Sequence, residues 1–99
     1  MEQWYCLYTK PHQEAVVNDS LTGRGLTTYL PMIPVRRKLN GRIIRFREPL
    51  FPCYIFARAD LERIGFSTIR WTPRLRNLVT IDQRPAVVEP SIIAHIETR

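Results

Sequence analysis

At 99 residues the chain is long enough for one hydrophobic core and too short for two. Its 44% hydrophobic and 24% charged residues are the balance of an ordinary globular domain, and no stretch approaches the run of about 18 apolar residues that crosses a membrane. The net charge of +6 points instead toward polyanionic partners.

The chain opens on a dense aromatic run, Trp4 to Thr9, which reads as a strand with Trp4, Cys6 and Tyr8 on one face and Tyr5 and Leu7 on the other. No charged-then-apolar leader precedes it, so a cytoplasmic protein is expected. A helix follows: Pro11 suits a first helical position, Glu14 favours its positive end, Val17 and Leu21 share a face, and Gly23 and Gly25 stop it. Thr27 to Val35 reads as a strand at a sheet margin, because Pro31 and Pro34 interrupt it.

Asn40-Gly41 is a strong two-residue turn signal joining Arg36-Arg37-Lys38-Leu39 to Arg42-Ile43-Ile44-Arg45-Phe46-Arg47, which makes a basic β-hairpin. Glu48-Pro49-Leu50-Phe51 leads to a strand over Pro52 to Ala59, its two prolines again marking a margin where Leu50 and Phe51 are hard to bury. Asp60 caps a short helix over Leu61 to Ile69, and Trp71-Thr72-Pro73-Arg74 is a turn. Leu75 to Ile81 is a strand and Arg84 to Val88 a short edge piece; Glu89-Pro90-Ser91 then opens a last helix carrying Ile92, Ile93 and Ile96. The order predicts an α+β domain on a mostly antiparallel sheet flanked by helices, with the basic hairpin protruding.

Residues 36 to 76 hold eleven Lys or Arg against Glu48, Asp60 and Glu62, a local balance of +8. Such a concentration suits phosphate backbones or is simply a solvated face. Trp71, between Arg70 and Arg74, either stacks an unpaired base or packs into the sheet. Nothing assembles into a catalytic site. His12 and His95 are far apart and read as surface or helix-end residues, there is no glycine-rich phosphate loop, and Ser20, Ser67 and Ser91 lack a base or nucleophile-elbow setting. Cys6 and Cys53 have no metal-ligand spacing and read as small buried hydrophobes in a reducing cytosol, so neither metal nor cofactor is expected.

Trp4-Tyr5-x-Leu7-Tyr8-x-Lys10, Leu30-Pro31-Met32-Ile33, Glu48-Pro49-Leu50-Phe51-Pro52-x-Tyr54-x-Phe56, Thr72 and Pro85-Ala86-Val87-Val88 resemble the N-terminal domain of the NusG family of transcription elongation factors, nearest to its RfaH-type antiterminators. The likeness spans the whole chain as one domain, residues 1–99. It implies an RNA-recognition-like sandwich that binds the clamp helices and gate loop of RNA polymerase and suppresses pausing and termination. A KOW domain normally follows in the family and is not in this chain. The implied polymerase contacts are Tyr8, Phe51, Pro52, Tyr54, Phe56, Ile81, Ile93 and Ile96, with Ser67 and Thr68 toward the gate loop. For each of the first eight, Tyr54 and Phe56 included, interface and plain core both fit. The implied contacts to single-stranded non-template DNA are Lys10, Gln13, Arg24, Arg42, Thr72, Arg74 and Arg76. Glu48 matches an interdomain contact to the KOW domain, which would link the factor to the ribosome, or is a solvated turn carboxylate. The resemblance implies a cytoplasmic monomer with no membrane partner. A free-standing RNA-binding module using the hairpin and sheet is the alternative.

Overall fold

A computed structural model describes residues 1–98. Five strands form the central sheet: β1 (Gln3–Thr9), β2 (Thr27–Tyr29), and, after a hairpin of β3 (Met32–Leu39) and β4 (Arg42–Pro49), β5 (Tyr54–Ala59), followed by two more strands nearer the C-terminus. Helix α1 (Glu14–Gly23) lies between β1 and β2, and short helices α2 (Leu61–Ile64) and α3 (Phe66–Arg70) lead from β5 into β6 (Leu75–Leu78). A small ribbon of β7 (Thr80–Ile81) and β8 (Arg84–Pro85) precedes β9 (Val87–Val88) and α4 (Pro90–Glu97). The sheet order is β2-β5-β1-β6, every pairing antiparallel, with β9 also paired to β1. The α+β architecture and the face assignment of β1 are as expected.

Alternation along the strands gives the sheet two different faces. Tyr5 and Leu7 of β1, Ile55, Ala57 and Ala59 of β5, and Leu75 and Leu78 of β6 bury against Val17 and Leu21 of α1 and Ile69 of α3. Full burial of each aliphatic side chain stabilises by roughly 1.5 to 3 kcal/mol, so this face holds the domain together. Trp4, Cys6, Tyr8, Tyr54 and Phe56 point the other way, and only part of that face is covered. Phe56 is buried there, and it and Ile93 of α4 both lie outside the main core. Burial, with Glu97, pushes the Tyr29 hydroxyl above the ordinary phenol range, which sets the end of α4 beside β2.

The hairpin forms a sheet of its own, with Leu39 opposite Arg42 at the tip and Met32 opposite Pro49 at the base. Asn40 and Gly41 both take positive φ, 52° and 77°, as a mirror-type two-residue turn requires. Eight-residue strands reach about 26 Å at about 3.3 Å per residue, in keeping with a molecule of 52 × 29 × 27 Å.

Several elements differ from expectation for local reasons. Helix α1 begins at Glu14 rather than Pro11, because His12 at φ 61° is left-handed and cannot belong to a helix. Its end is as read: Leu26 N–H reaches the Leu21 carbonyl at 3.1 Å and Gly25 N–H the Thr22 carbonyl at 3.0 Å, a Schellman closure around left-handed Gly25. Thr27 to Val35 is two strands in two sheets, since Pro31 has no N–H to continue the ladder. Strand β5 starts at Tyr54 instead of Pro52, after Cys53 at φ 72°, and the helix expected over Leu61 to Ile69 breaks at Gly65, φ 84°. Leu75 to Ile81 and Arg84 to Val88 each divide, at Val79 and Ala86, and Asp82 and Gln83, with positive φ at both positions, close the β7–β8 ribbon between them. Both cysteines are free and only half-buried.

Candidate functional site

Two surfaces of opposite chemistry flank the open side of the sheet. The first is the strap from Glu48 to Tyr54 that returns the hairpin to β5. Leu50 N–H donates to the Pro31 carbonyl at 2.8 Å, closing the hairpin base, and Tyr54 N–H donates to the Phe51 carbonyl at 3.0 Å. Thr9 N–H holds the Cys53 carbonyl at 2.8 Å, and Cys53 N–H donates to Glu14 Oε2 at 2.9 Å. With its backbone fixed at four points, the strap holds out Phe51 and Tyr54, each 38% exposed.

Their rings belong to two aromatic clusters. Tyr8 and Tyr54 lie 5.3 Å apart, Phe51 meets Phe56 edge-on at 6.2 Å, and Phe56 stacks on Tyr29 at 6.3 Å. A neighbouring groove of about 540 Å³ runs between the hairpin base (Met32, Ile33, Arg47), Leu50, Tyr29 and Ile96 of α4. Among the residues the sequence assigns to polymerase contact, Tyr8, Phe51, Pro52, Tyr54 and Ile96 border this surface. Phe56, 7% exposed, is its floor, and Ile93, 3% exposed, is buried on α4. Ile81 is exposed on the separate β7–β8 ribbon, and Ser67 and Thr68 are on α3. Glu48, opposite Ile33, pairs with Arg37 at 3.6 Å.

The second surface is polar. Lys10 N–H donates to the Arg74 carbonyl at 2.9 Å, which joins the β1–α1 loop to the α3–β6 turn and brings Lys10, Gln13 and Arg74 together. The Arg24 guanidinium donates to the Thr68 carbonyl at 3.0 Å and to the Thr72 hydroxyl, so Arg24 and buried Thr72 brace the turn from beneath. Arg76 lies elsewhere, 5.5 Å over the Tyr8 ring on the aromatic side, and Arg42 is at the hairpin tip. Trp71 does not pack into the sheet: it is 78% exposed, with the Arg70 guanidinium 5.9 Å from its ring centre. Its exposure has no sequence signal, because a turn tryptophan flanked by arginines fits either outcome.

The hairpin's register adds a third element that composition alone does not resolve. Residues directly opposite share a face, so Arg36, Lys38, Arg45 and Arg47 form one cationic face. Arg37, opposite Ile44, falls on the other face with Val35 and Phe46, stacks 5.4 Å over the Phe46 ring and pairs with Glu48. Among the described residues no group of three or more His, Cys, Asp or Glu is placed to hold a metal ion, and no helix is long and apolar enough to cross a membrane.

Comparison with known proteins adds family and fold. The family model described as "NusG: Transcription termination factor nusG" matches residues 2–97. The solved structure "Domain interaction in Thermotoga maritima NusG" superposes with a TM-score of 0.68 at 20% identity, covering 97% of this chain and 55% of that one. This chain therefore spans about half the length of that relative.

Proposed function

The chain belongs to the NusG family of transcription factors, and from that premise we propose that it is an elongation and antitermination domain of RfaH-like kind, which works by binding. The aromatic strap seats on the clamp helices of RNA polymerase while the Lys10–Arg74 surface faces the exposed non-template strand. The observation that carries this reading is the pair Phe51 and Tyr54, held in water on a backbone tied to β1, α1 and the hairpin base. Exposed aromatic anchors beside a groove of mixed lining are what a helical partner takes up. Ser67 and Thr68 on α3 would reach the gate loop. In a longer protein a KOW domain would meet the chain at Glu48, and would couple the factor to the ribosome.

Capture of purified core RNA polymerase by the immobilised chain tests the reading, with a polymerase lacking its clamp helices as the control. Retention of the intact enzyme and loss of the truncated one is the expected result. A second reading rests on Tyr8, Tyr54 and Arg76, an aromatic sheet face with a flanking arginine of the sort that stacks single-stranded RNA. A chain that binds RNA and ignores polymerase would establish that function in place of the first.

A further inference from the structure

We propose that Trp71 is a stacking platform for one unpaired nucleobase of single-stranded DNA, with Arg70 holding the phosphate beside it; this rests on the DNA-facing role proposed above for the Lys10–Arg74 surface. Leaving an indole 78% exposed forfeits a large burial term, and the other tryptophan, Trp4, is half-buried. The exposure is not that of a loose loop. Trp71 N–H closes α3 on the Ser67 carbonyl at 3.1 Å, the next side chain, Thr72, is 3% exposed, and Arg24 ties the Thr68 carbonyl to the Thr72 hydroxyl across the turn. The backbone is therefore fixed on both sides of a side chain that touches little.

Charge selects the occupant. No Asp or Glu occurs from residue 63 to residue 81, a stretch with four arginines. The exposed neighbours Ser67, Thr68, Arg70, Pro73 and Arg74 supply no apolar rim of the kind that excludes water around a protein hot spot. An indole among cations instead matches a base, which has a π-face whatever its sequence and carries a phosphate on either side.

The test uses the full chain and fluorescently labelled single-stranded oligodeoxynucleotides, intact or with one abasic position. Trp71→Ala should weaken binding to the intact strand roughly 5- to 150-fold, as removal of one stacked base does, without changing the salt dependence, and Trp71→Phe should restore most of it. An abasic strand should bind the native chain as weakly as Trp71→Ala binds the intact one, and show no further loss with Trp71→Ala. Native affinity in Trp71→Ala, with Lys10→Ala weakened, would overturn the stacking role and leave the DNA surface standing. Failure of the native chain to bind any single strand, free or in a polymerase elongation complex, would overturn both. If polymerase capture alone then falls in Trp71→Ala, the indole is a protein contact.

Discussion

The Glu14 carboxylate, in the first turn of α1, accepts the backbone N–H of Cys53, 39 residues away, at 2.9 Å, while Cys53 holds a left-handed φ of 72°. A buried acceptor thus stabilises a strained residue at the point where the aromatic strap enters β5. Glu14→Ala leaves that N–H without its partner and should destabilise the domain by about 1 to 3 kcal/mol, with a smaller effect in Glu14→Gln, which keeps an acceptor oxygen. Cys53→Gly removes the left-handed penalty of about 1 to 2 kcal/mol and should raise the urea midpoint. Equal midpoints for Glu14→Ala and the native chain would show the hydrogen bond to be energetically idle.

Burial separates two aromatic residues on the same face of β5. Tyr54→Ala should weaken polymerase binding by roughly 1 to 3 kcal/mol with little effect on folding. Phe56→Ala empties the floor beneath it and should cost about 3 to 5 kcal/mol of stability. Thermal melts alongside polymerase binding read both; a folded Tyr54→Ala that binds normally removes the strap from the interface.

The hairpin register makes the charge test selective. Arg36→Ala, Lys38→Ala and Arg45→Ala remove cations from one face, and each one that neutralises a phosphate should, when removed, flatten the slope of log affinity against log salt by about 0.9 for duplex DNA. Arg37→Ala, already paired with Glu48 and stacked on Phe46, should leave the slope unchanged. A slope unaltered by the first three substitutions makes this a solvated face.

Cys6 offers a chemical readout of the less-covered sheet face. Burial pushes its thiol from 9.0 up to about 11, so at neutral pH it holds on the order of 100-fold less thiolate than an ordinary cysteine. Alkylation of Cys6 should be correspondingly slow and accelerate as pH rises. The neutral thiol is favoured in the folded state, so its contribution to stability is intact below about 9 and fades as pH rises toward about 11. Cys6→Ala should remove that part of the alkaline decline; the same decline in the variant would assign it to other groups.

What was legible in the sequence was what short-range chemistry dictates. Asn40-Gly41 specifies its turn because glycine and asparagine accept positive φ, and Trp4 to Thr9 exposes its alternation directly. Asp82-Gln83 performs a similar turn without glycine, so the β7–β8 ribbon was hidden inside what read as two longer strands. Pro31 signalled a margin but not a change of sheet, since only the pairing of β2 with β5 shows where the chain departs. Of the assigned DNA contacts, Thr72 and Arg24 turn toward each other. That partnership spans 48 residues and leaves no local trace.

The same brace sharpens the assignment of sequence preference to Arg74. With Thr72 buried and Arg24 engaged beneath the turn, the exposed Arg74 is the fork-shaped donor set left facing outward beside Lys10. A guanidinium reads a guanine edge with two hydrogen bonds, whereas the Lys10 ammonium meets phosphate as a point charge. Arg74→Lys should therefore keep general affinity and lose roughly 1 to 3 kcal/mol of discrimination between a strand selected from a random pool and its scrambled version. Lys10→Ala should weaken both strands alike and lower the salt slope by about 1. Because alanine and arginine meet the same penalty at φ 73°, Arg74→Ala isolates the side chain from the backbone. If Arg74→Ala and Lys10→Ala weaken every strand by a common factor, Arg74 is a phosphate contact and preference arises elsewhere on the elongation complex.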